Sequence, residues 1–526
     1  MKLRNYHLKM KEEFELIAKT FQGLEEVLAK ELTELGASNI EIGRRMVAFT
    51  GDKEMMYKAN FCLRTAIRIL KPIKHFEAKN ADEVYDAIKA ITWEDYLDKD
   101  KSFAIDAVVF SNEFRHSKFV AYKVKDAIVD YFREKTGDRP SVRINNPDVA
   151  LNIHIAEDKC TLSLDSSGES LHRRGYRQEA VEAPLNEVLA AGMVLMTGWK
   201  GECDLIDPMC GSGTIPIEAG LIARNIAPGV FRKEFAFEKW NDFDQDLFDN
   251  IYNDDSQERE FTHKIYGYDN NPKANEIAIH NVKAAGLSKD IILKIQPFQQ
   301  FEQPKEKAMI ITNPPYGERI STNDLLGLYQ MIGERLKHSF TGNDAWILSY
   351  REECFDQIGL KPSIKVPLFN GALECEFRKY QLFDGKYKEF RSENSDMEFK
   401  PRRDEDTRPR RNSERVEYGE RRERRDFGER REGSGDFRGG ERRERRDFGG
   451  KREGSGDFRG GERRERRDFG DKREGRGDFR GGERRERRDF GDKREGRGGE
   501  FRGGERKDGE FKEKREFRPR FKKEEE

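Results

Sequence analysis

Three short stretches carry residue types able to do chemistry, and they occur in a fixed order. The last of them, NPPYGERI (Asn313 to Ile320), follows a strand-like apolar run. A strand ending in Asn-Pro-Pro-aromatic can aim two acceptors, the Asn313 side-chain oxygen and the Pro314 carbonyl, at one planar NH2 group while Tyr316 stacks on its ring. Such a site recognises an amino group conjugated to a π system. The plainer alternative is a Pro-rich turn that only ends a strand. The first stretch, DLIDPMCGSGTIPIEAG, puts Gly211 and Gly213 in a turn and starts a helix near Thr214. Glycines there let the backbone approach a ligand, and the helix start offers free N–H groups. It is not a Walker A loop, since G-K-[ST] is missing, and Pro216 occupies the third glycine position of G-x-G-x-x-G. The middle stretch, IYGYDNNP, ends at Asp269. Its carboxylate can accept from both hydroxyls of an adenosine ribose, or cap the helix that begins before Pro272.

The elements that must position these residues are legible as apolar strands followed by helices: Asp204 to Ile206, Ile265 to Tyr268, Ile291 to Ile295, Ala308 to Thr312 and Ala345 to Ser349. That alternation predicts an α/β domain, a parallel sheet covered on both faces with ligands at the carboxyl ends of its strands. Before about residue 180 the pattern is α+β. A strand at Phe14 to Lys19 precedes a helix with Leu24, Val27, Leu28, Leu32 and Leu35 on one face, stopping at Gly36. A second set follows, with a strand at Phe103 to Val109, a helix around Tyr122 to Phe132, and strands near Val142 to Ile144, Leu151 to Ile155 and Thr161 to Leu164. It carries Arg115, His116, Lys118, Lys123, Lys125, Arg133, Lys135, Arg139 and Arg143. This density of cations is either a solvated helix face or an RNA-contacting surface.

The chain has 526 residues, 38% charged and 35% hydrophobic, too long and too polar for one compact domain. From Lys386 onward it has no Leu or Ile, too little apolar surface to offset the entropy of ordering, so a disordered tail is expected over 386–526. A unit of about 21 residues, ERRERRDFGERREGSGDFRGG, begins at Glu420 and recurs in near copies from Glu441, Glu462 and Glu483. Splitting at residue 390 shows a mildly acidic body, near -9, and a mildly basic tail, near +8. The four FRGG segments resemble RGG-type RNA-binding regions, yet Asp and Glu are interleaved with the Arg. Loose RNA tethering and a solvated extension both remain open. The amino terminus lacks an apolar signal core and no run of 18 apolar residues occurs, so a cytoplasmic protein without a membrane span is expected. Six scattered cysteines without C-x-x-C or zinc spacing predict neither a metal site nor disulfides.

DPMCGSGT, GYDNNP and NPPYGERI in that order resemble the class I S-adenosylmethionine-dependent methyltransferases of the amino-methylating group. The linker LHRRGYRQEAVEAPLNEVLAAG (Leu171 to Gly192) and the basic α+β region resemble, more narrowly, the amino-terminal half of the bacterial THUMP-domain 23S rRNA guanine-N2-methyltransferases. The similarity covers roughly residues 12 to 385. It implies a ferredoxin-like region (1–75), a THUMP RNA-binding domain (76–168) and a Rossmann-like class I methyltransferase domain (169–385). By the same resemblance Asp207, Gly211, Gly213 and Thr214 would surround the methionine half of S-adenosylmethionine, with Asp269 and Asn270 at the ribose and Pro184 and Asn186 lining the site. Asn313, Pro314, Pro315 and Tyr316 would hold a flipped guanine. Arg115, Lys118, Lys123, Arg143, Arg173, Arg174 and Arg319 would meet RNA, most simply 23S rRNA or a large-subunit assembly intermediate. One departure stands out. Where relatives place an Asp for the adenine amino group this chain reads KIQPFQQF, leaving Gln296 or Gln299 for that contact. The insertion-like segment IAPGVFRKEFAFEKW lengthens the interval from Gly213 to Asp269.

Methyl transfer from a sulfonium needs in-line geometry, and an amine conjugated to a ring needs acceptors that favour its pyramidal form. The base must first leave its stack. Asn-Pro-Pro-Tyr also serves adenine-N6 and glutamine-N5 methylation, and a tRNA guanine is a further acceptor. A rival of another class is an RNA chaperone with a vestigial enzyme body.

Overall fold

The computed structural model describes residues 12–182, 184–302, 306–316 and 322–383, so the expected repeat tail lies outside the described residues. Two sheets organise the rest. The amino-terminal sheet holds β1 (Phe14–Lys19), β2 (Ser38–Gly43), β3 (Met46–Gly51), β4 (Arg68–Glu77), β5 (Ser102–Phe110), β6 (Ser141–Val142), β7 (Val149–Ala156) and β8 (Lys159–Asp165). Their order is β2-β3-β1-β4-β8-β7-β5-β6. The ferredoxin-like and THUMP regions therefore share one eight-stranded sheet. The strand that joins them is β4, which pairs with β1 on one edge and β8 on the other, so position 75 falls inside a strand. Helices α1 (Glu25–Leu35), α2 (Lys53–Cys62), α3 (Ala81–Lys89) and α4 (Ser117–Thr136) accompany it. As the sequence pattern predicts, α1 buries Leu28 and Leu32 and ends at Gly36, whose φ of 90° favours glycine. The expected strand at Val142 to Ile144 is only the two-residue β6 on the edge beside β5, with Val142 and Ile144 49% and 85% exposed: two β-branched residues did not suffice without a core to bury them.

The second sheet contains β9 (Asp204–Asp207), β10 (Ile265–Asp269), β11 (Ile291–Ile295), β12 (Ala308–Thr312), β13 (Asp344–Ser349), β14 (Ile364–Asn370) and β15 (Leu373–Gln381). It is ordered β11-β10-β9-β12-β13-β15-β14. The first five run parallel, and β15 is antiparallel to both of its neighbours. Helices α5 (Glu187–Thr197), α6 (Thr214–Ala223), α7 (Gln245–Asn253), α8 (Pro272–Ala284), α9 (Thr322–Ser339) and α10 (Glu352–Gln357) belong to this half. This is a Rossmann-like doubly wound fold. Strand order reverses between β9 and β12, and a doubly wound sheet opens its ligand crevice at that point. No described helix is long and apolar enough to cross a membrane.

A buried polar junction ties the two halves together. Arg174, 2% exposed, reaches Glu218 at 3.5 Å and donates to the carbonyls of Leu171, at 2.8 Å, and Arg64. Tyr176 donates to the same Glu218 oxygen at 2.8 Å. Between them Gly175 takes φ 113°, and a Cβ there would sit 2.2 Å from the Phe231 carbonyl oxygen, so only glycine fits. The assignment of Arg174 to RNA contact is thereby corrected. Its charge is spent inside the protein on a carboxylate 44 positions away, a pairing invisible in a linear reading. Glu→neutral or Arg→neutral changes that break such a buried pair cost about 3–5 kcal/mol. Arg174→Met should therefore lower the unfolding free energy by about that much in urea titrations. Arg173→Met, on an exposed neighbour, should change it by less than about 0.5 kcal/mol.

Candidate active site

At the carboxyl ends of β9, β10 and β12 lies a cavity of about 1180 Å3. It is lined by Asp207, Gly211, Thr214, Asp269, Asn270 and the whole Asn313–Tyr316 run. Residues more than a hundred positions apart thus meet in one space, as their motifs suggested. Asp207 ends β9 with 1% exposure and accepts hydrogen bonds from the Thr312 hydroxyl at 2.9 Å and the Met209 N–H at 3.3 Å. Burial pushes its carboxyl up to about 7, only partly opposed by those two bonds. Gly211 adopts φ 54° and donates its N–H to Asp269 at 2.9 Å. The other Asp269 oxygen accepts from the Asn271 N–H at 2.8 Å. Asp269 is not the cap of α8: Asn271 is, accepting from the Lys273 N–H at 3.0 Å. That leaves the remaining lone pairs of Asp269 facing the cavity.

Gly213, at φ 81°, is the N-cap of α6, and no side chain caps that helix start. It does not line the cavity; its requirement is steric, since an added Cβ would come 3.3 Å from Ala278 Cβ. Pro184 lines the cavity, but Asn186 does not. The Asn186 oxygen is used as the N-cap of α5, accepting from the Val188 N–H at 2.9 Å, so its expected cofactor contact is corrected to a structural one. Arg177, which the sequence reading passed over, braces the loop. It donates to Ser212 and Thr214 hydroxyls at 3.1 and 3.0 Å, to the Leu185 carbonyl at 3.0 Å and to Glu187 at 2.6 Å.

Asn313 follows Thr312 directly. Its Oδ1 is buried and has no hydrogen-bond partner among the described residues. An unpaired buried acceptor costs free energy unless a donor is delivered to it. Beside it, Tyr316 accepts from the Asn370 amide at 2.9 Å and meets Tyr350 edge-on, with centroids 5.4 Å apart. Burial raises the Tyr316 phenol to about 12, so it stays neutral. Asn370 and Tyr350 come from distant elements and carry no local motif. Of the two glutamines left for the adenine, Gln299 lines the cavity together with Pro297 and Phe298. Gln296 instead donates its amide to the Gln300 carbonyl at 2.7 Å.

The cationic candidates divide. Arg115, Lys118, Arg143 and Arg173 are exposed, Arg173 within 2.6 Å of Glu169. Lys123 pairs with Asp82 at 2.7 Å. Arg319 lies outside the described residues. On α4 the exposed Phe119 and Tyr122 stand beside Lys123 and Lys125, whose ammonium groups are each 5.9 Å from the neighbouring ring. A second cleft of about 1200 Å3, lined by Arg68, Arg173, Arg177, Arg232, Lys233 and Lys239 among others, shares Pro184 and Leu185 with the cavity. Among the described residues no His, Cys, Asp and Glu group is arranged to hold a metal.

The raised Asp207 carboxyl has a testable sign. Between pH 4 and about 7 the unfolded chain ionises Asp207 while the folded chain keeps it protonated, so its contribution to stability falls as pH rises through that window. Asp207→Asn should therefore raise the melting temperature of the ligand-free protein at pH 8. The gain should shrink toward zero at pH 4 in a calorimetric pH series.

Comparison with known proteins matches this architecture. Residues 15–70 match the RlmL ferredoxin-like domain, 78–165 the THUMP domain and 174–379 the RMKL-like methyltransferase domain. A putative RNA methyltransferase of Synechocystis sp. is 40% identical over 365 residues, covering 69% of this chain and 95% of that protein. The ribosomal RNA large subunit methyltransferase K/L of Syntrophotalea carbinolica is 38% identical over 380 residues, covering 70% of this chain and 53% of that protein. The chain thus spans about half the length of its K/L relatives. A crystal structure of a putative methyltransferase complexed with SAH superimposes with TM-score 0.64 at 30% identity, covering 72% of this chain and all of the other. With three consecutive domains matched and a relative covered almost end to end, the chain belongs to the RMKL-like methyltransferase family, in the branch that carries the RlmL ferredoxin-like and THUMP domains.

Proposed function

We propose that this protein transfers a methyl group from S-adenosylmethionine to the exocyclic N2 amine of a guanine in 23S rRNA. The observation that carries the reading is the buried, unpartnered Asn313 Oδ1 in the cavity that also holds the Gly211 loop and Asp269. The donor supplies an activated methyl group on a sulfonium. Everything else is the work of this chain. Asp207, Gly211 and Thr214 hold the amino-acid end, Asp269 and Asn270 the ribose, and Gln299 with Phe298 the adenine. Asn313 Oδ1 and the Pro314 carbonyl accept hydrogen bonds from the two N2–H groups and turn the amine lone pair toward the methyl group. As the N–C bond forms and the donor's S–CH3 bond breaks, leaving a neutral thioether, the nitrogen becomes cationic and pyramidal; both acceptors interact with it more strongly than with the planar amine until it loses one proton to solvent. Tyr316, fixed by Asn370, supplies the stacking face that replaces the base's lost neighbours.

RNA as the substrate is supported by the THUMP domain, by the names of the Synechocystis and K/L relatives, and by exposed Arg115, Lys118, Arg143 and Arg173. The large-subunit names of the K/L relatives favour 23S rRNA over tRNA. The second cleft reaches from the THUMP sheet to Pro184 at the cavity wall, a path for the strand that flanks the flipped nucleotide.

Asn313→Ala should lower kcat about 100- to 1000-fold, the usual consequence of losing one preorganised contact to developing charge. The dissociation constant for S-adenosylmethionine, measured by calorimetry, should stay unchanged. Preserved turnover, or equal loss of donor binding, would show that Asn313 does not hold the acceptor.

A further inference from the structure

A base held by Asn313 and Pro314 has left its stack, and the gap it leaves bares the faces of its two neighbours. Proteins that unstack bases close such a gap with an apolar side chain. Single exposed apolar side chains are ordinary on a protein surface, so position must carry the argument. Of the large hydrophobic side chains exposed among the described residues, Leu373 alone lines the cavity that holds Asn313. It is 37% exposed and so belongs to the rim. Its place is set by the β14–β15 hairpin. Asn370 and Leu373 are the last pair of that ladder, joined by a two-residue turn, Gly371–Ala372. Gly371 takes φ 64°, a positive value that favours glycine at the first central position of such turns. Residues directly opposite in an antiparallel pair project to the same face, with Cβ atoms about 4.5–5.5 Å apart. The Asn370 amide bonds the Tyr316 hydroxyl at 2.9 Å, so Leu373 shares the face turned to Tyr316. The strand that carries Leu373 is paired with β13 as well as β14, which holds the tip firmly. Gly371, Ala372 and Leu373 are all exposed and uncharged, a tip without a group for phosphate.

We infer that Leu373 is the wedge that takes the place of the extruded base, packing on the bared face of a neighbouring nucleotide; the inference rests on the guanine-N2 reading above. The rim adjoins the acceptor end of the cavity, where Asn313 and Tyr316 stand, so RNA delivering the amine comes up against Leu373. A nucleobase face is flat and apolar, and covering it with Leu373 removes both surfaces from water. That burial offsets part of the stacking lost when the base leaves. Tyr316 inside the cavity covers the extruded base, and Leu373 at the mouth covers its vacated place. Leu373 therefore acts on the balance between stacked and extruded base, and leaves donor binding and methyl transfer to the residues described above.

The test uses the full chain and two rRNA fragments spanning the nucleotide the wild type methylates: one intact, the other with an abasic site on each side of the target. In the second there is no stack to break and no neighbouring face for Leu373 to cover. Leu373→Ala should lower kcat/KM about 10-fold on the intact fragment, the worth of a small apolar contact, and match the wild type on the abasic one. Leu373→Met, which keeps the apolar volume, should restore the wild-type rate on the intact fragment. The dissociation constant for S-adenosylmethionine should be the same for all three proteins. Because Leu373 is exposed, the alanine variant should fold normally. Equal losses on both fragments, no loss on either, or weakened donor binding would overturn the inference while leaving guanine-N2 methylation standing. A wild-type enzyme that forms no N2-methylguanosine in 23S rRNA would overturn the underlying reading, and the inference with it.

Discussion

The site depends on two carboxylates that cross-link three parallel strands at their carboxyl ends. Asp207 on β9 accepts from Thr312 on β12, and Asp269 on β10 accepts from the Gly211 N–H in the loop after β9. These bonds fix, side by side, the glycine loop, the Asp269 carboxylate and Asn313, which follows Thr312 in the chain. Neither bond is cheap, because Asp207 is almost wholly buried and held in a state that favours its proton. A fold selected for stability alone would place an amide there.

The same logic of buried polar ties governs the rest of the chain. Glu31 accepts from the Arg64 and Thr65 N–H groups, Arg174 donates to the Arg64 carbonyl and reaches Glu218, and Tyr176 closes the group. One apolar core continues from Leu16 in β1 to Phe377 in β15. Gly23 lies so close to the Pro367 carbonyl that a Cβ would sit 2.6 Å from it. The THUMP sheet and the methyltransferase sheet are therefore docked through buried groups rather than joined by a loose linker. The exposed Arg115 and Lys118 on one half are thereby held at a set distance from Asn313 on the other.

Much of this was legible in the chain. The five parallel strands are marked by short apolar runs bounded by turn residues, and every motif of the site sits at a strand end, where local sequence decides what can follow. The placement of Asp207, Gly211, Asp269 and Asn313 at strand ends around one cavity was readable because it depends on immediate neighbours. What escaped was whatever a distant element supplies. Arg174 read as a surface cation because Glu218 is remote in sequence. Asn186 carries the signature of a helix cap, followed by an apolar helix, yet resemblance drew it to the cofactor. Asn370, Tyr350 and Asp324 reach the cavity from a hairpin, a strand end and a helix face, Arg177 braces its loop from a linker, and nothing adjacent to them announces it. The shared strand β4 was hidden for the same reason: its two pairings are with chain segments on either side of an apparent boundary.

The central claim is a chemical one, the identity of the methylated atom. It is tested most directly by incubating the purified protein with S-adenosylmethionine and separate pools of unmodified 23S rRNA and tRNA, then digesting each pool and identifying the methylated nucleoside by mass spectrometry. The account predicts N2-methylguanosine in the 23S rRNA pool and none in tRNA. N6-methyladenosine in either pool, or no methylated nucleoside despite measurable donor binding, would contradict it.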